Sequence, residues 1–278
     1  MNKKQIRKPL KELNLADRFL FDEVMEDAQT NQDVLSIIFG KDVTLMGSAE
    51  TEKELRVSPL LRSIRMDVVS MDEEQTVYNT EMQNKRKNDL AKRSRYYQAL
   101  VDTNLLEPGI PDYNVLNATY IIMIMTFDLF GYEKYCYTFE ATCREVPGCT
   151  LGDKAVRIFL NTKGKNKKDV SQELIDFLVY VENSTDEVAE ASESERLKRI
   201  HRRVCKVKAS EEVGVKYMQA WEEKYYEREE GIEEGERRML KMQIEKKLAK
   251  GNTIEEIADM LEQSVETIEK LVSEMQEE

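Results

Sequence analysis

The sequence predicts an α/β core followed by an all-helical C-terminal region. Strand-like runs alternate with helical periodicity through about residue 182, and strand signals stop after a stretch at 183–194 rich in Ser, Thr, Glu and Ala. Beyond it the chain is densely charged, with apolar residues at intervals. The expected organisation is a core over 1–182, a linker over 183–194 and a helical tail over 195–278.

Each element has its own signal. Asp17 to Phe39 carries Phe19, Leu20, Val24, Leu35, Ile38 and Phe39, which suits one or two helices broken near Thr30 and Asn31. Leu61 to Met71 and Thr76 to Gln83 read as two strands around the polar turn Asp72 to Gln75, a β-hairpin. Asn88 to Asp102 is helical through Leu90, Tyr97, Leu100 and Val101, and Leu105 to Tyr113 is a loop holding Pro108, Gly109 and Pro111. Strands follow at Thr119 to Phe127, Tyr135 to Cys143 and Ala155 to Leu160, then a helix between Asp169 and Val181. In the tail, Glu195 to Lys250 reads as a long exposed helix or an oligomerising coil. Thr253 with Glu256 makes a capping box and Ser264 caps the next helix, which gives a helix-turn-helix shape. Its second helix bears Glu266, Glu269 and Glu274, and such charge repels phosphates. Docking or self-association as a homo-oligomer is the expected use of these helices.

Charge distribution says more than the total. The chain has 42 basic and 54 acidic residues, net −12. From Thr253 to Glu278 nine acids face Lys270 alone, whereas Asn84 to Arg95 holds Lys85, Arg86, Lys87, Lys92, Arg93 and Arg95 against Asp89. One basic island thus stands in an acidic chain, as a phosphate-contacting segment would. The cysteines, Cys136, Cys143, Cys149 and Cys205, show no Cys-x-x-Cys spacing and read as reduced thiols in a cytoplasmic protein. They do not supply a four-ligand zinc set, and His201, among Arg199, Arg202 and Arg203, reads as a solvated side chain. The longest apolar run, Ala118 to Phe127, is too short to cross a bilayer, so no membrane partner is expected.

The hairpin carries the chemistry. Side chains alternate along a strand, so Asn79, Glu81 and Gln83 share a face of the second strand, and Asp67 stands as a charge inside an otherwise apolar first strand. Buried carboxylates call for a cation, an arginine such as Arg65, or hydrogen bonds. From the residues alone, a divalent metal site and an ion-pair network with Arg65 both stay open. A hard cation such as Mg²⁺ takes oxygen ligands of this kind.

Thirteen residues separate Asp67 from Glu81, and the arrangement resembles the Asp…Glu-x-Lys motif of PD-(D/E)XK nucleases, with Gln83 in place of the lysine. Further stretches resemble one branch, the recombination-promoting nucleases labelled PD-(D/E)XK-family putative transposases. These are Ala16 to Phe21, Arg65 to Val68, Tyr78 to Gln83, Arg95 to Tyr97, Tyr113 in its Pro/Gly loop, Phe127 to Gly131, Leu160 to Gly164 and the Glu/Gly-rich tail. The resemblance implies a restriction-endonuclease-like mixed sheet flanked by helices, with Asp67 and Glu81 binding Mg²⁺ or Mn²⁺ and Gln83 orienting the attacking water. It also implies an acidic metal ligand on the first helix, Asp17 or Glu23. An amide holds water but brings no positive charge, so the metal, or Lys85 or Arg95 nearby, would have to supply more of it.

The expected function is Mg²⁺-dependent hydrolysis of DNA in recombination or mobile-element processes, with Lys85, Arg86, Lys87, Lys92, Arg93, Arg95 and Tyr97 contacting the nucleic acid. The alternatives are a descendant of the nuclease fold that binds DNA or protein without cutting, and an RNA-cleaving enzyme on the same scaffold.

Overall fold

The middle of the sheet is built from the strands that are apolar on both faces. In the computed structural model, which describes residues 7–47, 50–55, 64–105 and 111–277, Ile121 to Met125 are all buried in β4 (Thr119–Met125). β4 runs parallel to β3 (Val77–Gln83) on one side and to β6 (Ala155–Asn161) on the other. β2 (Ile64–Met71) pairs antiparallel with β3, β1 (Glu50–Leu55) with β2, and β5 (Cys136–Phe139) with β6. The result is a six-stranded mixed sheet in the order β1-β2-β3-β4-β6-β5. β1 has no counterpart among the expected strands. Its sequence, Glu-Thr-Glu-Lys-Glu-Leu, is charged because it forms an edge, where charge discourages pairing with another chain. The expected start of β2 at residues 61–63 and most of the Pro/Gly loop, residues 106–110, lie outside the described residues.

Helices cover both faces. α3 (Leu90–Leu105) packs Leu90, Tyr97, Leu100 and Val101 against Val77, Ile121, Met123, Met125 and Phe159. On the opposite face, α2 (Ala28–Phe39) ends with Phe39 edge-on to the Tyr78 and Tyr120 rings, at 5.5 and 4.9 Å between centroids. α1 (Arg18–Met25) precedes it, and the break falls at Glu26 and Asp27 rather than at Thr30 and Asn31. Asp27 decides the position, because its carboxylate accepts the Thr30 amide and starts a new helix there.

The first compact unit runs to Gly214, past the expected boundary at 182, and the expected linker contains a short helix, α5 (Asp186–Glu190). The physical reason is α6 (Glu195–Ala209), expected as exposed tail. It buries Leu197, Ile200, Val204 and Val207 as one apolar stripe, and Arg199 grips the buried Asp33 of α2 through two contacts at 2.8 and 2.7 Å. α4 (Gln172–Glu182) precedes α5 and holds the N-terminal segment, whose Ala16 amide donates to the Val181 carbonyl at 2.9 Å.

The second unit begins at Val215, within α7 (Glu211–Leu248). Ile244 of α7, Ile257 and Ala258 of α8 (Ile254–Met260), and Ile268 and Leu271 of α9 (Val265–Glu277) form its buried cluster. The expected capping box of Thr253 and Glu256 is present. Part of the tail's acid is paired within the unit, since Glu274 meets Arg237 and, at 3.6 Å, Lys241. Among the described residues, no helix is long and apolar enough to cross a membrane.

Candidate metal centre

β2 and β3 pair as far as Val68 opposite Thr80, and continuing that register sets Asp67 opposite Glu81. There side chains bond across the hairpin. The Asp67 amide donates to Glu81 Oε1 at 3.0 Å, and the Met82 amide donates to Asp67 Oδ2 at 3.0 Å. Each acid thus reaches the other strand, and both are 1% exposed. Asn79 shares the face of Glu81, as alternation requires, and its Nδ2 donates to Glu81 Oε1 at 3.1 Å. The other end of that amide, Asn79 Oδ1, is buried with no hydrogen-bond partner among the described residues.

Two carboxylates sharing a buried space cannot both ionise cheaply. Burial and then the charge of Asp67 push the Glu81 carboxyl up to about 8, against the hydrogen bonds from the Asp67 amide and Asn79 and the pull of Arg18. Arg18, on the first turn of α1, sets Nη2 2.5 Å from Asp67 Oδ1 and Nε 3.5 Å from Asp22 Oδ2. Its side chain is 42% exposed, so it reaches the acids from the solvent side. The hydrogen bond of Asn84 Nδ2 to the Ala16 carbonyl, 3.2 Å, ties the end of β3 to the start of α1.

The first helix also offers an acid beyond the two expected. Asp17 caps α1, its carboxylate accepting the Phe19 amide at 3.1 Å, and Glu23 is half-buried with its carbonyl bonded to Arg203. Asp22 is the buried acid linked through Arg18 to Asp67. Helical spacing from Arg18 contained the signal, since residues four apart share a face. The expected pairing with the Arg65 side chain lies outside the described residues.

Gln83 ends β3, two residues beyond Glu81, half-buried and without a side-chain hydrogen bond among the described residues. It is level with Met125 and Asn161, so it stands at the common C-terminal edge of three parallel strands, where open α/β sheets place their ligands. The basic island opens beside it. Lys85, Arg86, Lys87, Lys92 and Arg95 are exposed, and Arg86 bonds weakly to the Leu129 carbonyl at 3.5 Å. Arg93 is half-buried with its guanidinium carbon 5.7 Å from the Tyr97 ring centre, and its Nε and Nη2 have no hydrogen-bond partner among the described residues. Tyr97 corrects the expectation that it contacts nucleic acid. It is 5% exposed in the core under α3, which leaves no face for a base. Its phenol is instead pushed upward by burial and then by the charge of Glu81.

The donor set passes the chemical test for a hard divalent cation: all-oxygen ligands, one carboxyl held at raised pKa by burial and then by its neighbour, and a buried carbonyl oxygen on Asn79 without a donor among the described residues. PD-(D/E)XK nucleases generally use divalent metal ions. No curated protein and no solved structure matches the chain. A family model described as PD-(D/E)XK nuclease family transposase matches residues 48–235, a span that contains Asp67, Glu81, Gln83 and the basic island. With its mixed sheet between helices and its paired acids at the hairpin, the chain belongs to the PD-(D/E)XK nuclease family transposases.

Proposed function

We propose that the chain is a Mg²⁺-dependent endonuclease that hydrolyses DNA phosphodiester bonds in recombination or mobile-element processes. The observation that carries the proposal is the burial of Asp67 and Glu81 together, with Glu81 held protonatable near neutral pH until a cation arrives. A bound divalent ion supplies Lewis-acid stabilisation of the phosphate and a more acidic water. Asp67 and Glu81 offer the oxygens that hold it, and Asp22 is the acid of the first helix that joins them when Arg18 swings outward. Gln83 orients water through its amide. Arg93 has donors with no partner among the described residues for a non-bridging phosphate oxygen, and Lys85, Lys87, Lys92 and Arg95 contact flanking phosphates. The exposed Ile232, Met239 and Met242 on α7 support self-association of the second unit.

Incubation of supercoiled plasmid and of a matched RNA with the protein in Mg²⁺ or Mn²⁺ tests the reading. Nicked or linear DNA that disappears with chelator and with Asp67→Asn is the expected result, and identical behaviour of wild type and variant overturns it. A second reading, binding without cutting, rests on Arg18, which neutralises Asp67 with no metal present. It predicts DNA binding with no heat of Mg²⁺ binding by calorimetry.

A further inference from the structure

His201 is not the solvated side chain expected from its basic neighbours. It is 16% exposed and turns towards α5 and α4. Its Nε2 lies 3.0 Å from Asp186 Oδ1 and 3.4 Å from Cys205 Sγ, and the three candidate ligand atoms all lie within 4.8 Å of one another. Cys205 and His201 are four residues apart on α6, hence on one face, and Asp186 is the first residue of α5. Behind the ring, the hydroxyl of the fully buried Tyr180 meets Nδ1 at 2.8 Å, and the two rings stand at 90°. Tyr180 therefore fixes the imidazole with Nε2 aimed at Asp186 and Cys205 beside the ring.

Two chemistries use Cys, His and Asp together. A nucleophilic relay needs the acid on one ring nitrogen and the thiol on the other, so that the imidazole carries a proton between them. Here the acid lies on Nε2, but Nδ1, the nitrogen a relay would turn to the thiol, belongs to Tyr180, and Sγ lies nearer Nε2 at 3.4 Å than Nδ1 at 3.9 Å, which rules out that geometry. An acid and a thiol that both lie nearest Nε2 can instead share a metal ion with it. For tetrahedral zinc, bond lengths of about 2.0 to 2.3 Å set ligand separations of about 3.3 Å for nitrogen to oxygen and about 3.5 Å for nitrogen to sulfur. The observed 3.0 and 3.4 Å are close to these separations, and Cys205 Sγ, which stands beside the ring at 3.9 Å from Nδ1, reaches a metal on Nε2 by rotation about its Cα–Cβ bond.

We infer that Asp186, His201 and Cys205 form a zinc site, with water as the fourth ligand and Tyr180 holding His201 from behind. The sulfur and imidazole ligands select a borderline divalent ion, Zn²⁺ in preference to Mg²⁺, so the site is chemically distinct from the oxygen-only centre at Asp67 and Glu81. Bound metal ties the start of α5 to α6 and so pins the segment that joins α4 to α6.

Metal-free full-length protein titrated with Co²⁺ tests this. One equivalent should give visible bands of tetrahedral cobalt with a near-ultraviolet thiolate-to-cobalt band, all displaced by Zn²⁺. Cys205→Ser should abolish the thiolate band. Asp186→Asn, at an exposed position where folding is not at risk, should keep the band but weaken affinity at least about tenfold. Asp67→Asn should leave the thiolate-to-cobalt band unchanged. Absence of a thiolate band in the wild type, its persistence in Cys205→Ser, or its loss in Asp67→Asn each overturns the assignment.

Discussion

Asp67 and Asp128 both lie in stretches that resemble the family, yet their surroundings are opposite. Asp128 is saturated with donors: Oδ1 accepts the Phe130 and Gly131 amides and the Tyr137 hydroxyl at 3.1, 3.0 and 2.9 Å, and Oδ2 accepts the Glu133 amide at 2.7 Å. Burial pushes this carboxyl up, but the bonds from Gly131, Glu133, Tyr137 and Phe130 outweigh it and leave it below its ordinary range. Asp67 shares a buried space with a second acid, and burial followed by the charge of Asp67 drives that neighbour upward. A satisfied acid builds a turn, whereas a crowded pair of acids stores repulsion that a cation relieves.

Substitution should separate the two roles most sharply. Asp67→Asn should lower DNA cleavage by about 10²-fold or more while the melting temperature stays level or rises. Asp128→Ala should instead cost about 1 to 3 kcal/mol of stability and leave the rate per folded molecule unchanged. Cleavage and denaturation assays on both variants check this, and loss of cleavage in Asp128→Ala at unchanged stability would break the contrast.

The turn after β6 belongs to the saturated class and extends the same test. Buried Asn161 donates from Nδ2 to the Lys134 carbonyl at 3.1 Å and accepts the Lys163 amide at 2.8 Å. Gly164 closes that turn against Tyr135, where an added Cβ would lie 2.4 Å from the ring and 2.6 Å from the backbone nitrogen. Because backbone cannot move aside cheaply, Gly164→Ala should destabilise by about 1 to 3 kcal/mol in urea unfolding.

Residue order revealed the hairpin and its acids because alternation along a strand is local and a lone charge among apolar residues stands out. It also revealed the two short tail helices through their caps, and Ile268 and Leu271 of the second join the buried cluster of the second unit. What stayed hidden depends on distant parts of the chain. β1 looks polar because it is an edge, and α6 looks like exposed tail until Asp33 is found beneath Arg199. Asp22 comes to share Arg18 with Asp67 only through the way α1 docks on the hairpin. Asp186, His201 and Cys205 meet only because two helices pack, and no motif spacing announces that.

pH should pull the two kinds of acid in opposite directions. Glu81 is raised from its ordinary 4.5 to about 8, so the folded state holds a proton that the unfolded state has lost. Its contribution to stability is fully present below 4.5 and is lost as pH rises to about 8. Asp128 is lowered from 3.8, so its contribution is present above that value and is lost as pH falls through its folded pKa. Denaturation across pH 5 to 8 should therefore show a downward slope with rising pH that Glu81→Gln or saturating Mg²⁺ flattens and Asp128→Ala does not. A slope unaffected by Glu81→Gln would remove the distinction.

The smallest effect tests whether the hairpin's turn and its acids are energetically separate. Asp72 is another saturated acid, accepting the Glu74 and Thr76 amides at 3.0 and 2.8 Å and the Tyr78 hydroxyl at 2.7 Å. Those bonds force Gln75 into left-handed backbone at φ 62°, which a side chain disfavours by roughly 1 to 2 kcal/mol. Gln75→Gly removes that strain but adds freedom to the unfolded chain, so the net gain should be at most about 1 kcal/mol. Gln75 precedes β3 and Glu81 lies near its far end, a separation of about 20 Å along the strand. Cleavage should therefore be unchanged in the stabilised variant. A fall in cleavage alongside a gain in stability would mean that strain at the turn reaches the paired acids through β3, and that the hairpin acts as one unit.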